Sequence, residues 1–86
     1  MLFRVLVEAS PKEGIADPQG VTIEEHLPAL GWSNVTGVRV GKAIRLTIEA
    51  ESEEAAATQA DDMCRRFLAN PVLEDWQVTA EPTGQQ

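Results

Sequence analysis

The chain has 86 residues, with seven basic and fourteen acidic side chains and a net charge of −7 at neutral pH. This length predicts one small domain, in which proportionally little surface is buried, so oligomerisation is expected. The acidic balance argues against nucleic acids and anionic membranes as partners, because both are bound by clustered Lys and Arg. One cysteine excludes an internal disulfide framework. With no signal-like N-terminus and no long apolar run, a cytoplasmic protein is expected.

The first predicted elements are a strand and a helix. Residues 2–8 alternate apolar and mixed side chains, which is typical of a half-buried strand. A helix is predicted from Pro18 to about Leu30, because Asp17 is a good N-cap and proline suits the first helical position. We expect Pro28 to disturb its last turn, since proline removes an intrahelical hydrogen bond. The apolar stripe and the residue that ends the helix are Ile23, Leu27 and Leu30, followed by Gly31.

Two strands, 35–40 and 43–50, are predicted next from alternating apolar and polar side chains. Gly41 and Lys42 between them suit a tight hairpin in which Gly41 takes a positive φ. A second helix is expected to begin after Ser52 and to end at Asn70 in a left-handed conformation, since Pro71 forbids continuation. Its predicted core stripe is Ala56, Ala60, Met63, Cys64 and Phe67.

The last predicted strand covers residues 72–80, and the polar residues 81–86 are expected to be a flexible tail after a single domain of residues 1–80. The resulting order is β-α-β-β-α-β. It predicts an α+β two-layer sandwich of ferredoxin-like type, with an antiparallel sheet and both helices on one face. The helix-free face, which carries mixed side chains, is expected either to stay wet or to pack on another subunit.

Catalytic and metal-binding patterns are scarce in this sequence. Cys64 lies on the apolar stripe of the second helix, which favours a buried structural thiol over a reactive one. His26 is the only histidine, and we interpret it as a partly exposed surface residue. Neither metal-ligand spacings nor a phosphate-binding loop occur. We therefore expect no catalytic, cofactor-binding or metal-binding residues in this chain.

What remains is a set of loop residues too specific for simple connectors. Capping explains Asp17 and Pro18, but it does not explain Gln19, or a glycine at position 20, where glycine is a poor helix former. Specific residues in loops usually carry function. Contact with another protein fits them better than catalysis, and the predicted partner-contacting residues are Lys12, Asp17, Gln19, Gly20, Arg39, Lys42, Asn70 and Glu74.

These loop residues also carry a family resemblance. From about Phe3 to Val78 the chain resembles the PurS family, the small subunit of multi-subunit phosphoribosylformylglycinamidine synthase. No single motif is decisive, but the combination is specific. The matching segments are Lys12-x-Gly14, Asp17-Pro18-Gln19-Gly20, Leu30-Gly31, Val38-Arg39-x-Gly41-Lys42 and Leu68-x-Asn70-Pro71-Val72-x-Glu74.

The resemblance implies a role in de novo purine synthesis. The complete enzyme is an ATP-dependent ligase that uses glutamine, with a glutaminase subunit (PurQ) and a large synthetase subunit (PurL). The small subunit is implied to be a non-catalytic, dimerising module that bridges the other two and aids ammonia transfer. ATP and Mg are implied to bind the large subunit. Two alternatives stay open: a stand-alone, ACT-like small-molecule sensor domain, and a small ferredoxin-like enzyme that would need a polar pocket.

Overall fold

A computed structural model describes residues 1–84 of the chain. It contains an antiparallel sheet of three strands in the order β2-β1-β3. Two α-helices, one 3₁₀ segment and one π-turn complete the described part. In chain order the elements are β1 (Leu2–Pro11), α1 (Pro18–His26), the 3₁₀ segment (Pro28–Leu30), β2 (Lys42–Glu49), α2 (Glu53–Met63), the π-turn (Cys64–Leu68) and β3 (Glu74–Pro82).

The core forms on one face of the sheet, around the central strand β1. Alternate β1 side chains face α2, as the strand period requires. Val5 pairs with Leu46 of β2 and Ala80 of β3, so apolar side chains of all three strands share this face. The buried residues of the core are Phe3, Val5, Val7, Ile48, Ala50, Ala56, Ala60 and Cys64. The predicted α+β class, with an antiparallel sheet and two helices, is thereby confirmed.

Helix α2 covers the sheet, chiefly over β1 and β3. It begins as predicted at Ser52, whose hydroxyl oxygen accepts a hydrogen bond from the N–H of Ala55 at 3.1 Å. The predicted stripe is only partly right, because Phe67 is 87% exposed and Met63 is also exposed. The helix widens into a π-turn, in which the N–H of Ala69 bonds to the Cys64 carbonyl at 3.0 Å. This change of period displaces Phe67 from the buried face.

The predicted strand at residues 35–40 does not form, and this segment lies outside the sheet. Its backbone groups are satisfied by side chains of another segment. The N–H of Val38 donates to Glu24 Oε1 at 3.0 Å, and the N–H of Val40 donates to Asp17 Oδ2 at 2.8 Å. Two carboxylates thus replace the neighbouring strand that a ladder would need.

The end of the first helix follows the prediction. α1 stops at His26, a 3₁₀ segment begins at Pro28, and Gly31 closes it with a left-handed φ of 106°. The predicted stripe of this helix, however, is not buried within the chain, since Ile23 is 45% and Leu30 is 68% exposed. We call residues 17–40, which comprise α1, the 3₁₀ segment and the following loop, the arm.

Two predicted left-handed residues are wrong. Gly41 has no positive φ, and neither does Asn70. Gly41 is required for space instead, because a Cβ there would lie 2.5 Å from the carbonyl oxygen of Ala9 in β1. Asn70 follows Ala69, whose extended backbone ends the helix.

The last strand has nine residues, as many as predicted, but it begins and ends two positions later, at Glu74 and Pro82, because residues 72 and 73 belong to the preceding turn. Glu81 and Pro82 pair with Arg4 and Phe3 of β1, so the sheet includes the first two residues of the predicted tail. The rest of that predicted tail extends to Gln86, and its last two residues lie outside the described part of the chain. None of the helices in residues 1–84 has the length and apolar character needed to cross a membrane.

The described chain is elongated. Its Cα radius of gyration is 16.6 Å and its principal extents are 50 × 28 × 14 Å. A compact domain of this length has a radius of gyration of about 12 Å. The difference reflects the arm, because α1 makes its main contacts with the 3₁₀ segment rather than with the sheet.

Candidate protein–protein interface

The three turns that the sequence singles out meet at one end of the sheet. Ala9 of β1 pairs with Lys42 at the start of β2, and Pro11 pairs with Glu74 at the start of β3. The end of β1 therefore lies between the turn that precedes β2 and the turn that precedes β3. The Asp17–Gly20 turn joins them through Arg39, as its hydrogen bonds show.

Asp17 connects two segments that are far apart in sequence. Its Oδ1 accepts the N–H of Gly20 at 3.1 Å, which caps α1 as predicted, and its Oδ2 accepts the N–H of Val40 at 2.8 Å. Hydrogen bonds from Val40 and then Gly20, with a smaller contribution from the Arg39 guanidinium, hold the pKa of Asp17 below its usual value. The charged carboxylate thus links the start of α1 to the segment that leads into β2. We call this link the Asp17 joint.

Gly20 allows the closest contact in this joint. A Cβ at position 20 would lie 2.4 Å from the Val38 carbonyl oxygen and 2.6 Å from Asp17 Oδ2. The sequence predicts that Gly20 contacts another protein. Here the space beside it is filled by the same chain, which explains a glycine in the first turn of a helix.

Arg39 ties the joint to the end of β1. Its Nη2 donates to the carbonyl oxygens of Pro11 and Lys12, at 2.8 Å each. Its Nε lies 3.8 Å from Asp17 Oδ2, and the Arg39 side chain is 38% exposed. These two bonds use both N–H groups of Nη2 within the chain.

The turn before β3 is closed by reciprocal bonds between Asn70 and Glu74. The Asn70 N–H donates to Glu74 Oε1 at 2.8 Å. The Glu74 N–H donates in return to the Asn70 carbonyl at 2.7 Å. Asn70 Oδ1 also accepts the N–H of Val72 at 3.0 Å, which is an Asx turn. The Asn-Pro-Val segment is therefore a rigid turn.

Both candidate lysines already have an acidic neighbour in this chain. Lys12 Nζ lies 2.7 Å from Asp75 Oδ1, and Lys42 Nζ lies 3.4 Å from Glu74 Oε1. The side chains of Lys12 and Lys42 are 39% and 45% exposed. Exposed pairs of this kind are weak, typically about 0–1 kcal/mol. Either lysine can therefore leave its acidic neighbour in this chain for one on another subunit at little energetic cost. Contact of these lysines with another subunit stays a prediction.

Gln19 is the predicted contact residue that the described part of the chain leaves unused. It is exposed, and its side chain has no hydrogen bond within residues 1–84. It lines a shallow hollow of about 450 Å³ together with Pro18, Thr22, Ile23 and Val40. Its amide offers both a donor and an acceptor at the rim of an apolar surface.

More large apolar side chains are exposed than the sequence indicates. The sequence predicts a buried Phe67, because no local signal separates a π-turn from a regular helix end. Trp32 is 55% exposed in the arm, and Val72 is 77% exposed in the turn before β3. Large exposed apolar patches mark interaction sites. The exposed set is Met1, Val21, Ile23, Leu30, Trp32, Val35, Met63, Phe67, Val72 and Leu73.

The nucleophile and base candidates are poorly placed for chemistry. Cys64 is fully buried, as predicted, and burial followed by the nearby Asp61 charge raises the pKa of its thiol. His26 is exposed, with Nδ1 2.7 Å from the Thr22 carbonyl oxygen. In residues 1–84 no three His, Cys, Asp or Glu side chains are grouped to hold a metal ion. The described surface offers docking features rather than a reaction site.

Comparison with known proteins assigns the chain to a family. A family model described as PurS: Phosphoribosylformylglycinamidine (FGAM) synthase matches residues 4–82. The phosphoribosylformylglycinamidine synthase subunit PurS of Methanocaldococcus jannaschii is 35% identical over 80 residues, covering 93% of this chain and 96% of that protein. The corresponding Bacillus subtilis subunit is 36% identical, covering 93% and 94%.

Solved structures agree with this assignment. The PurS subunit structure from Thermotoga maritima has a TM-score of 0.85 at 33% identity, covering 94% of this chain and 93% of that one. A chain in the PurLQS structure from Thermotoga maritima has a TM-score of 0.85 at 33% identity and is covered to 99%. Sequence and fold thus agree over nearly the whole length, and the chain belongs to the PurS family of FGAM synthase subunits.

Proposed function

We propose that this chain is the small assembly subunit of an FGAM synthase and bridges a PurL-like synthetase and a PurQ-like glutaminase. The observation that carries the proposal is the match to a chain of the PurLQS structure over 94% of this chain. The rigid turns at one end of the sheet and the exposed apolar side chains support it. The stand-alone sensor and the small enzyme are not favoured, because the relatives described above are named as synthase subunits.

The division of labour proposed for this complex is the one that the family resemblance implies. ATP and Mg are proposed to bind the large subunit, and ammonia is proposed to come from the glutaminase. This chain is proposed to act as a homo-oligomer in the cytoplasm, where it holds the two larger subunits in register for ammonia transfer. Its buried thiol and its exposed histidine supply no nucleophile–base pair to that reaction.

Reconstitution tests the proposal directly. The isolated protein is expected to show neither glutaminase nor ATPase activity. Added to purified PurL and PurQ subunits, it is expected to restore glutamine-dependent synthesis, while synthesis from free ammonia by the large subunit needs it far less. Glutamine-dependent activity that is indifferent to this chain would refute the assembly role. Tight binding of a nucleotide or an amino acid to the isolated chain, measured by calorimetry, would favour the sensor.

A charge exchange tests the predicted contact at Lys42. Lys42→Glu is expected to weaken co-purification with the large subunit if Lys42 meets an acid there. The double variant Lys42→Glu/Glu74→Gln removes the internal repulsion between two carboxylates and keeps an oxygen for the Asn70 N–H. Continued loss of binding in the double variant supports an intermolecular contact. Full recovery assigns Lys42 to the internal pair alone, and unchanged binding by Lys42→Glu rejects the contact.

A further inference from the structure

The segment that joins α2 to β3 carries the two most exposed large apolar side chains of the described residues. Phe67 is 87% exposed and Val72 is 77% exposed. Phe67 belongs to the π-turn that ends the helix, and Val72 belongs to the turn that precedes β3. We call residues 64–73 the α2–β3 connection.

A fixed backbone holds both of these side chains in water. Cys64, Leu68 and Ala69 pack the connection against the core. The N–H of Ala69 closes the π-turn on the Cys64 carbonyl, and reciprocal bonds between Asn70 and Glu74 close the turn that follows. A surface that is already rigid loses little conformational freedom when a partner covers it.

The π-turn is what exposes the phenylalanine. A regular α-helix would place Phe67 on the buried stripe, three positions after Cys64 and seven after Ala60, both of which are fully buried. The wider turn directs the ring to solvent instead. Such turns are frequent at functional sites. We therefore interpret the exposed Phe67 as a contact residue.

Cationic side chains stand next to this ring on a chain whose net charge is −7. Arg65 and Arg66 directly precede Phe67, and their side chains are 58% and 77% exposed. Each pairs with an aspartate one helical turn earlier, in an exposed contact of the weak kind. Aromatic and arginine side chains are enriched at protein interfaces. The pair of guanidinium groups favours a partner that presents carboxylates.

A second copy of this chain is a poor occupant of this surface. A two-fold contact places the same patch of both copies face to face, and here it would set arginines against arginines. Like charges brought together at an interface are unfavourable. A different protein, with acidic groups around an apolar pocket, fits the surface better.

The connection also borders the predicted contact at Lys42. It leads into Glu74, whose Oε1 lies 3.4 Å from Lys42 Nζ. The partner predicted for Lys42 is an acidic group of the large subunit. One partner can therefore cover the connection and reach this lysine from the same end of the sheet.

We infer that the α2–β3 connection docks on the PurL-like synthetase, with Phe67 and Val72 as apolar anchors and with Arg65 and Arg66 facing carboxylates of that subunit. A few anchors of this kind carry most of the binding energy of an interface. The inference deepens the proposed function and rests on it. It assigns a named surface to one of the two contacts that a bridging subunit makes.

A photocrosslinker identifies the occupant in the assembled complex. Benzoylphenylalanine replaces Phe67, and the complex with purified PurL and PurQ subunits is irradiated. An adduct with the synthetase subunit is expected. The control carries the same crosslinker in place of Glu54, which is exposed at the opposite end of α2, and is expected to give no such adduct.

The concentration dependence of reconstitution tests the anchors. Phe67→Ala and Val72→Ala are each expected to raise the half-saturating concentration of this chain in glutamine-dependent synthesis about ten-fold or more. The maximal rate and the sedimentation of the isolated variants are expected to match the wild type. Leu30→Ala, at a 68% exposed apolar site in the arm, is the matched control and is expected to stay within about two-fold.

The salt dependence tests the charges. Arg66→Ala is expected to weaken the response of the half-saturating concentration to added salt, because charges at an interface rim act through screened attraction. Arg4→Ala, at a 64% exposed arginine of the sheet, is the control and is expected to leave that response unchanged.

An adduct at position 67 with the glutaminase or with a second copy of this chain would overturn the inference. Equal half-saturating concentrations for Phe67→Ala and the wild type would do the same, and so would an equal loss by Leu30→Ala. In all of these cases the wild-type chain still restores synthesis, and the assembly role stands. Failure of the wild-type chain to restore synthesis refutes the proposed function itself, so the two proposals fail in different ways.

Discussion

Gly20 and Val38 approach so closely that a Cβ on Gly20 would lie 2.4 Å from the carbonyl oxygen of Val38. Backbone oxygen cannot move aside as the tip of a long side chain can. The contact therefore fixes where the first helix lies relative to the segment that enters β2. The position of the whole arm, and with it the exposure of its apolar stripe, depends on the absence of one methyl group.

The first prediction concerns this contact. Gly20→Ala is expected to lower the free energy of unfolding by about 1–3 kcal/mol, the usual cost of forcing an extra group into a packed site. Urea denaturation of the purified protein measures it. Gln19→Ala is the control and is expected to change little, because the Gln19 side chain is exposed and has no hydrogen bond in residues 1–84. Equal midpoints for Gly20→Ala and the wild type would contradict the close approach.

The second prediction concerns pH. The pKa of Asp17 is lowered in the folded protein, chiefly by the Val40 and Gly20 N–H groups. The ionised carboxylate therefore stabilises the fold above its unfolded-state pKa of about 3.9, and this contribution is lost as the pH falls through the lower folded-state value. Asp17→Asn is expected to be less stable than the wild type at pH 7.

The difference between these two proteins is expected to shrink as the pH falls below about 4, the range in which the wild-type carboxyl itself takes up a proton. Denaturation curves between pH 7 and pH 3 measure this convergence. Glu25→Gln removes one negative charge from an exposed side chain of α1 without any hydrogen bond in the described chain, and it controls for net charge. A gap that stays constant with pH would argue against the carboxylate joint.

The third prediction compares the chain's two phenylalanines. Phe3 is 2% exposed and Phe67 is 87% exposed. Phe3→Ala is expected to cost about 3–5 kcal/mol of unfolding free energy, as for other buried phenylalanines. Phe67→Ala is expected to stay within about 0.5 kcal/mol of the wild type. A large loss of unfolding free energy in the isolated Phe67→Ala protein would mean that Phe67 lies in the core, and it would contradict the π-turn.

The fourth prediction concerns the ion pair between Lys42 and Glu74. A double-mutant cycle with Lys42→Ala and Glu74→Gln is expected to give a coupling energy of about 0.2–1 kcal/mol, because the Lys42 side chain is 45% exposed and its charge is well solvated. Glutamine retains an oxygen for the Asn70 N–H, so the cycle isolates the charge. The coupling should fall in 1 M salt. A coupling that is strong and insensitive to salt would mean that the pair is structural and unavailable to another subunit.

Single residues predict much of the local structure. The Asp17 and Ser52 caps, the break at Pro28 and the left-handed Gly31 depend on neighbours within a few positions, and all four were predicted. Chemistry of this kind is short-range, since a cap or a proline acts on one helical turn. The motifs that carry the family resemblance are local in the same way, and the comparisons confirm the family.

The sequence by itself therefore determined the α+β class, the helix caps, the buried Cys64 and the family. Only the tertiary structure decided how the special loop residues are used. The partner of Asp17 is an N–H twenty-three positions away, and the space at Gly20 is filled by Val38 of the same chain. No local pattern specifies such contacts. The same limit explains the wrong strand prediction at residues 35–40. The alternation of valines with other residues describes the side chains, but it does not indicate which group accepts each backbone N–H.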